Sequence, residues 1–206
     1  MRCSLMVPAA AALLLIPATA WSQRPVSRNM LTSDSLPPTV IRVDPSLTYL
    51  GTQSFILYDI ATAEQHFFAE LDGKRVKRFV WVQFEGYLPD KNRSYNYSRD
   101  SLITLWGKRI RHQQAVWNLP ASERTPPTDG DRARRFVAEH GYSLPASALY
   151  HRLVWLFETP ARHELMIIYM EDPADYGVTG EMLTDEKKTE LLAASLEHAG
   201  RLIAVR

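Results

Sequence analysis

Cysteine is almost missing from this chain of 206 residues: Cys3 is the only one. Glycine is scarce too, with nine dispersed copies, and neither sign of charge dominates, since 24 Lys and Arg face 23 Asp and Glu. Each shortage closes a class of function. A lone thiol excludes a disulfide framework, a CxxC redox pair and a thiolate metal site. Dispersed glycines leave no loop that could cradle a phosphate. An even charge balance argues against a bulk nucleic-acid binder, which needs a surplus of Lys and Arg on one face. Six scattered histidines, with neither HxH nor HExxH, point to no metal and no other cofactor.

What is present begins with a leader. Arg2 precedes an apolar run from Leu5 to Ile16, followed by Ala18-Thr19-Ala20. That is the basic start, apolar core and small-x-small cleavage site of a secretory signal. The run is shorter than the ~20 residues of a membrane span. The expectation is cleavage after Ala20 and export to the periplasm or the exterior, with no transmembrane segment left. Arg2 and Cys3 leave with the leader, so the remainder is Cys-free, carries 23 charges of each sign and must fold on its core alone. Residues 21–38, rich in Ser, Arg and Pro, read as a flexible leader ending at Pro37-Pro38, and 39–206 as one domain.

Within that domain, short strands are expected at Thr39–Val43 and Ser54–Ile60. Asp72-Gly73 reads as the turn of a hairpin whose second arm, Val76–Phe84, is β-rich. The first arm, 60–71, also fits a helical stripe through Ile60, Glu64, Phe67, Phe68 and Leu71, and the hairpin is the reading taken. Residues 101–119 read as two strands around Gly107-Lys108, with a broken helix as the alternative. The loop Pro89–Asp100 carries acceptor sequons at Asn92 and Asn96, whose use depends on the source. A helix is expected from Asp131 to His140, stopped by Gly141, and another after Thr184 with a stripe of Leu192, Leu196, Ala199 and Ile203. Between them, 148–158 and 163–171 form a second hairpin, apolar on both faces and therefore central. The fold class is α+β: a twisted, mainly antiparallel sheet with two helices packed on it, one of them C-terminal.

A two-residue Asp72-Gly73 turn pairs Glu70 with Arg75, His66 with Phe79 and Glu64 with Trp81. Glu64, His66, Phe68, Phe79, Trp81, Gln83 and Glu85 then share one face, mixing aromatics with a few polar groups as small-molecule pockets do. In the second hairpin, a four-residue loop sets Arg152 opposite Tyr169, a further candidate pair for ligand binding, and Glu158 opposite His163. Glu64 and His66 are also the catalytic candidates, because a carboxylate beside an imidazole makes a general acid–base pair. Gly141-Tyr142-Ser143 lacks the strand–turn–helix setting of a nucleophile elbow and reads as a helix end. Two basic clusters, Lys108/Arg109/Arg111 and Arg132/Arg134/Arg135, read as solvated faces. The function expected is an exported, non-catalytic binding or accessory domain with an aromatic-lined pocket for a small apolar or aromatic ligand. A His/Glu hydrolase or lyase and a cell-envelope module with a protein partner are the alternatives.

Overall fold

Neighbouring residues of a β-strand point to opposite faces, so a strand apolar at consecutive positions must be covered twice. The computed structural model, which describes residues 23–120, 122–178 and 183–206, meets this demand with two antiparallel sheets and two helices. The larger sheet has seven strands in the order β4 (Thr48–Leu57), β5 (Ala61–Asp72), β6 (Arg75–Tyr87), β10 (His163–Glu171), β9 (Ser147–Trp155), β8 (Lys108–Asn118) and β7 (Ser101–Leu105). The smaller has four, β1 (Val26–Ser27), β2 (Met30–Ser33), β3 (Thr39–Val43) and β11 (Ile203–Val205). Helix α1 (Asp129–Glu139) covers one face of the large sheet, and α2 (Asp185–Leu202) with the small sheet covers the other. No helix among the described residues is long and apolar enough to cross a membrane.

The two faces carry separate cores. On the α1 face, Phe67, Trp81, Met166, Ile168 and Val154 meet Ala133, Phe136 and Val137 of the helix. On the other, Phe68, Val82, Leu153, Ile167 and Tyr169 meet Leu31, Ile41, Val43 and Ile203 of the small sheet and Ala199 of α2. Helix α1 is closed by a reciprocal cap, Thr128 and Asp131 each bonding the other's backbone N–H, and Gly141 follows it at φ 82°. Both ambiguous stretches are strands, as β5 and as β7 and β8, and Trp106-Gly107 (φ 53° and 70°) make the tight turn between β7 and β8.

Both hairpins pair differently from the sequence expectation. In the first, the turn residues are Gly73 and Lys74, because Asp72 faces Arg75 and Leu71 faces Val76. A bulge then leaves Lys77 unpaired, so Glu70 faces Arg78, Phe67 faces Trp81 and Glu64 faces Phe84. Moving the turn by one residue shifts the pairing by two and preserves the faces. The single extra residue exchanges them. Phe79, Trp81, Gln83 and Glu85 therefore share the α1 face with Gln65 and Phe67, whereas Glu64, His66 and Phe68 lie on the reverse. In the second hairpin the pairing is one residue off: Arg152 faces Ile168 and His151 faces Tyr169. Arg152 and Tyr169 thus lie on opposite faces.

The expected leader splits in two. Residues 1–22, with the signal segment, lie outside the described residues. Beyond them, Val26–Ser27 and Met30–Ser33 are strands rather than loose chain, with β2 hydrogen-bonded to β3. Arg24 anchors them, its backbone N and guanidinium donating to the two oxygens of Glu64 at 2.7 and 2.6 Å while its guanidinium lies 3.8 Å over the Phe84 ring.

Edge strand β4 bends at a bulge beside Gly51, whose φ of 134° few residues but glycine adopt. A Cβ there would lie 3.0 Å from Cζ of Phe136, the residue that fixes α1 to the sheet. Gly51→Ala is expected to cost about 2 kcal/mol or more, from strain and displaced helix packing together. Urea denaturation at neutral pH measures it.

Candidate functional site

Helix α1 does not cover the whole of its face. Beside it lies an open cavity of about 490 Å³. Its apolar wall comes from three central strands and β8: Phe79 and Trp81 from β6, Met166, Ile168 and Met170 from β10, Tyr150 from β9, and Ala115 and Trp117 from β8. The polar wall is Gln113, Arg124, Arg134 and Arg152 with the first turn of α1, Asp129 to Asp131. Two of these donors are already committed, Arg134 to Asp131 at 2.6 Å and Arg152 Nη2 to Asp100 at 2.9 Å. Trp81 Nε1 and Arg152 Nε are buried without a hydrogen-bond partner. An unpaired buried donor costs about 1–3 kcal/mol, so this wall is left under-satisfied.

A polar network adjoins the cavity on the same face. Gln53, Gln65 and Gln83 form a ladder across β4, β5 and β6, with 2.7 Å links, and Gln83 continues it to Glu85 at 2.6 Å. Glu85 lies directly across from Glu164 in the pairing of β6 with β10. Two tyrosines of the 88–100 loop cap this pair: Tyr95 donates to Glu85 at 2.7 Å and Tyr97 to Glu164 at 3.1 Å. The sequon residues Asn92 and Asn96 of that loop are exposed, while Tyr95 and Tyr97 turn inward. Burial, with Glu85 close by, raises the Glu164 carboxyl to about 8, and its second oxygen has no partner. Burial also raises Glu85 and Asp129. Like charges in one dry neighbourhood disfavour ionisation, and Glu164, the most raised of the three, holds its proton at neutral pH.

Of the residues picked from sequence for ligand binding, Phe79, Trp81 and Arg152 line the cavity. Gln83 and Glu85 share its face within the adjoining network. Phe68 and Tyr169 lie on the other face, inside the core that meets the small sheet. Sequence reasoning missed Tyr150, Gln113 and Trp117. The available signal was the period-2 series Tyr150, Arg152, Val154 on β9, which the one-residue register error concealed.

The catalytic candidates do meet: His66 Nε2 is 2.8 Å from Glu64 Oε1, and Tyr49 Oη is 3.2 Å from His66 Nδ1. Yet His66 is 0% exposed, and Arg24 occupies both oxygens of Glu64. As placed, the group ties the N-terminal strands to β5. Glu64 also borders a smaller hollow of about 210 Å³ together with Glu85 and His163. The other histidines have structural partners. His112 and His151 bond each other at 3.0 Å, and burial, then the neighbouring His112, lowers His151 to about 4. His198 joins Tyr169, Tyr176 and Arg78 around the buried Glu171. Burial alone would raise that carboxyl, but its four donors hold it below the ordinary range. His163 bonds Glu158 at 2.7 Å, as a half-buried pair. Ser143 bridges to the 74–76 backbone as a structural link. Among the described residues, no group of three or more His, Cys, Asp or Glu is arranged to hold a metal ion.

A carboxyl whose pKa rises on folding, here from 4.5 to about 8, binds more protons in the folded state. Its contribution to stability is full below the lower value and lost as pH climbs to the upper one. Glu164→Gln keeps an acceptor for Tyr97 and removes the titration. Between about pH 5 and about pH 9 the native protein should lose stability relative to this variant, read as diverging urea midpoints. Equal pH profiles would show that Glu164 does not hold its proton. Comparison with protein-family models, curated proteins and solved structures found no match for this chain.

Proposed function

We propose that the protein is an exported, non-catalytic binding or accessory domain that holds a small molecule in the cavity beside α1. Export rests on the N-terminal segment, with its basic start, apolar core and Ala18-Thr19-Ala20. The binding role rests on one observation above all: an open hollow of about 490 Å³ stands over the middle of the sheet, walled by Trp81, Phe79, Tyr150 and two methionines. A central sheet face is normally filled by packing, and a concave, mostly apolar surface with a few convergent polar groups is the usual form of a small-molecule site. Methionine and aromatic walls adapt to flat or branched apolar bodies. The Arg152 and Gln113 side supports a ligand that also carries a hydrogen-bond acceptor.

The anionic fluorophore 1-anilinonaphthalene-8-sulfonate is a suitable probe, because its rings and sulfonate match the two kinds of wall. Ala115→Trp fills the hollow from β8 and is expected to weaken probe binding at least about tenfold while leaving the fold intact by circular dichroism. Trp81→Ala should abolish binding without unfolding the domain. Native mass spectrometry of protein purified from its host should detect a co-purifying small molecule. Probe binding unchanged in Ala115→Trp would remove the cavity from consideration.

A further inference from the structure

The four-stranded sheet has one face in the core and one outside it. Met30, Arg42 and Ala204 are cross-strand neighbours on the outer face, where Met30 is 39% exposed. A groove of about 650 Å³ runs along this face, and three arginines from three elements line it: Arg28 from the β1–β2 turn, Arg42 from β3 and Arg201 from α2. Asp44 is the one acid in its wall, and its carboxylate turns to its own loop, accepting the Ser46 N–H at 2.9 Å.

The arginines are held ready for an anion. Arg28 and Asn29 both have positive φ, 50° and 57°, in the β1–β2 turn. Asn29 fastens that turn to the loop after β3, its Nδ2 donating to the carbonyls of Asp44 and Leu47 at 3.1 and 2.6 Å. Glycine or asparagine would take the place of Arg28 without strain, so the fold keeps an arginine there at a cost. Elsewhere, Arg24, Arg75, Arg78 and Arg152 are each bound to a carboxylate. In the groove, Arg201 meets only the exposed Glu197, at 3.5 Å, and the guanidinium groups of Arg28 and Arg42 have no ion-pair partner among the described residues.

We propose that this groove is a second binding site, which takes a phosphate group carried on a molecule with an apolar part. Guanidinium forks match phosphate oxygens bidentately, and they keep their charge at every physiological pH. Met30 and Leu202 beside them supply the apolar contact. Such a group occurs both on free phosphorylated molecules and on lipid headgroups.

Calorimetry at low salt with hexyl phosphate and with inorganic phosphate, and co-sedimentation with phosphatidylcholine vesicles with and without phosphatidylglycerol, test the site and separate its sources. Saturable binding of hexyl phosphate, tighter than that of inorganic phosphate, supports a free ligand. Binding confined to the phosphatidylglycerol vesicles supports a headgroup. In either case Arg28→Asn with Arg42→Gln should weaken binding at least about tenfold, since asparagine preserves the turn and only the charges are lost. Ala115→Trp, on the far side of the large sheet, should leave it unchanged. If no probe binds saturably, or if the double variant binds like the native protein, the proposal is overturned.

Discussion

Strands β6, β9 and β10 are apolar at consecutive positions, and the rest of the molecule follows from that constraint. Val80 and Trp81, Leu153 and Val154, and Ile167 and Ile168 each point one side chain to either face, and all are buried. Both faces of the large sheet's centre therefore need cover. The small sheet and α2 shield one side and α1 the other, but their reach is unequal. Seven strands at ~4.8 Å spacing span roughly 29 Å. Eleven residues of α1 make a helix about 16 Å long and about 10 Å wide. One helix of that size cannot cover such a face, and the hollow over β8, β9 and β10 is what it leaves. The cavity is thus a consequence of the architecture, and one of its walls is apolar because the strands beneath were already apolar.

Two-sided burial also dictates how polar residues inside the sheet behave. Gln65 and Gln83, both fully buried, satisfy each other across β5 and β6. Glu171 gathers four donors and stays ionised. Glu164 has one donor and another carboxyl across the strand, so it takes up a proton instead. The same residue type, seven positions along one strand, reaches opposite protonation states because of the donors around it. The Glu64–His66 pair fits this pattern. It resembles an acid–base pair in sequence, yet Arg24 and Tyr49 use it to close the structure.

The legible parts of the sequence were those in which each residue carries its own signal. The central hairpin, the helix cap at Thr184, and the α+β class follow from apolar runs, turn glycines and capping residues. Register did not, because it depends on where a bulge falls, and Lys77 looks like any other exposed strand residue. That one residue moved His66 and Trp81 to opposite faces. The N-terminal strands were hidden for another reason. Their stability comes from contacts as distant in sequence as Arg24 to Glu64, and Leu31 is their one fully buried apolar residue. Strand β11, three residues long and continuous with α2, was read as the tail of a helical stripe through Ile203.

The two proposed sites divide their chemistry along the same line that divides burial. The cavity sits over a face where Glu164 gives up its charge and where Arg134 and Arg152 are paired with the carboxylates of Asp131 and Asp100. Charge there is largely spent within the fold, so selection in the cavity depends on shape, apolar area and a few hydrogen bonds. The groove lies on the outer face of the small sheet, where desolvation is slight and guanidinium charge persists. Selection there depends on charge and weakens as salt rises. A molecule with near-zero net charge can hold both kinds of surface because its arginines are spent unevenly: on carboxylates where the sheet is dry, and on solvent where it is wet.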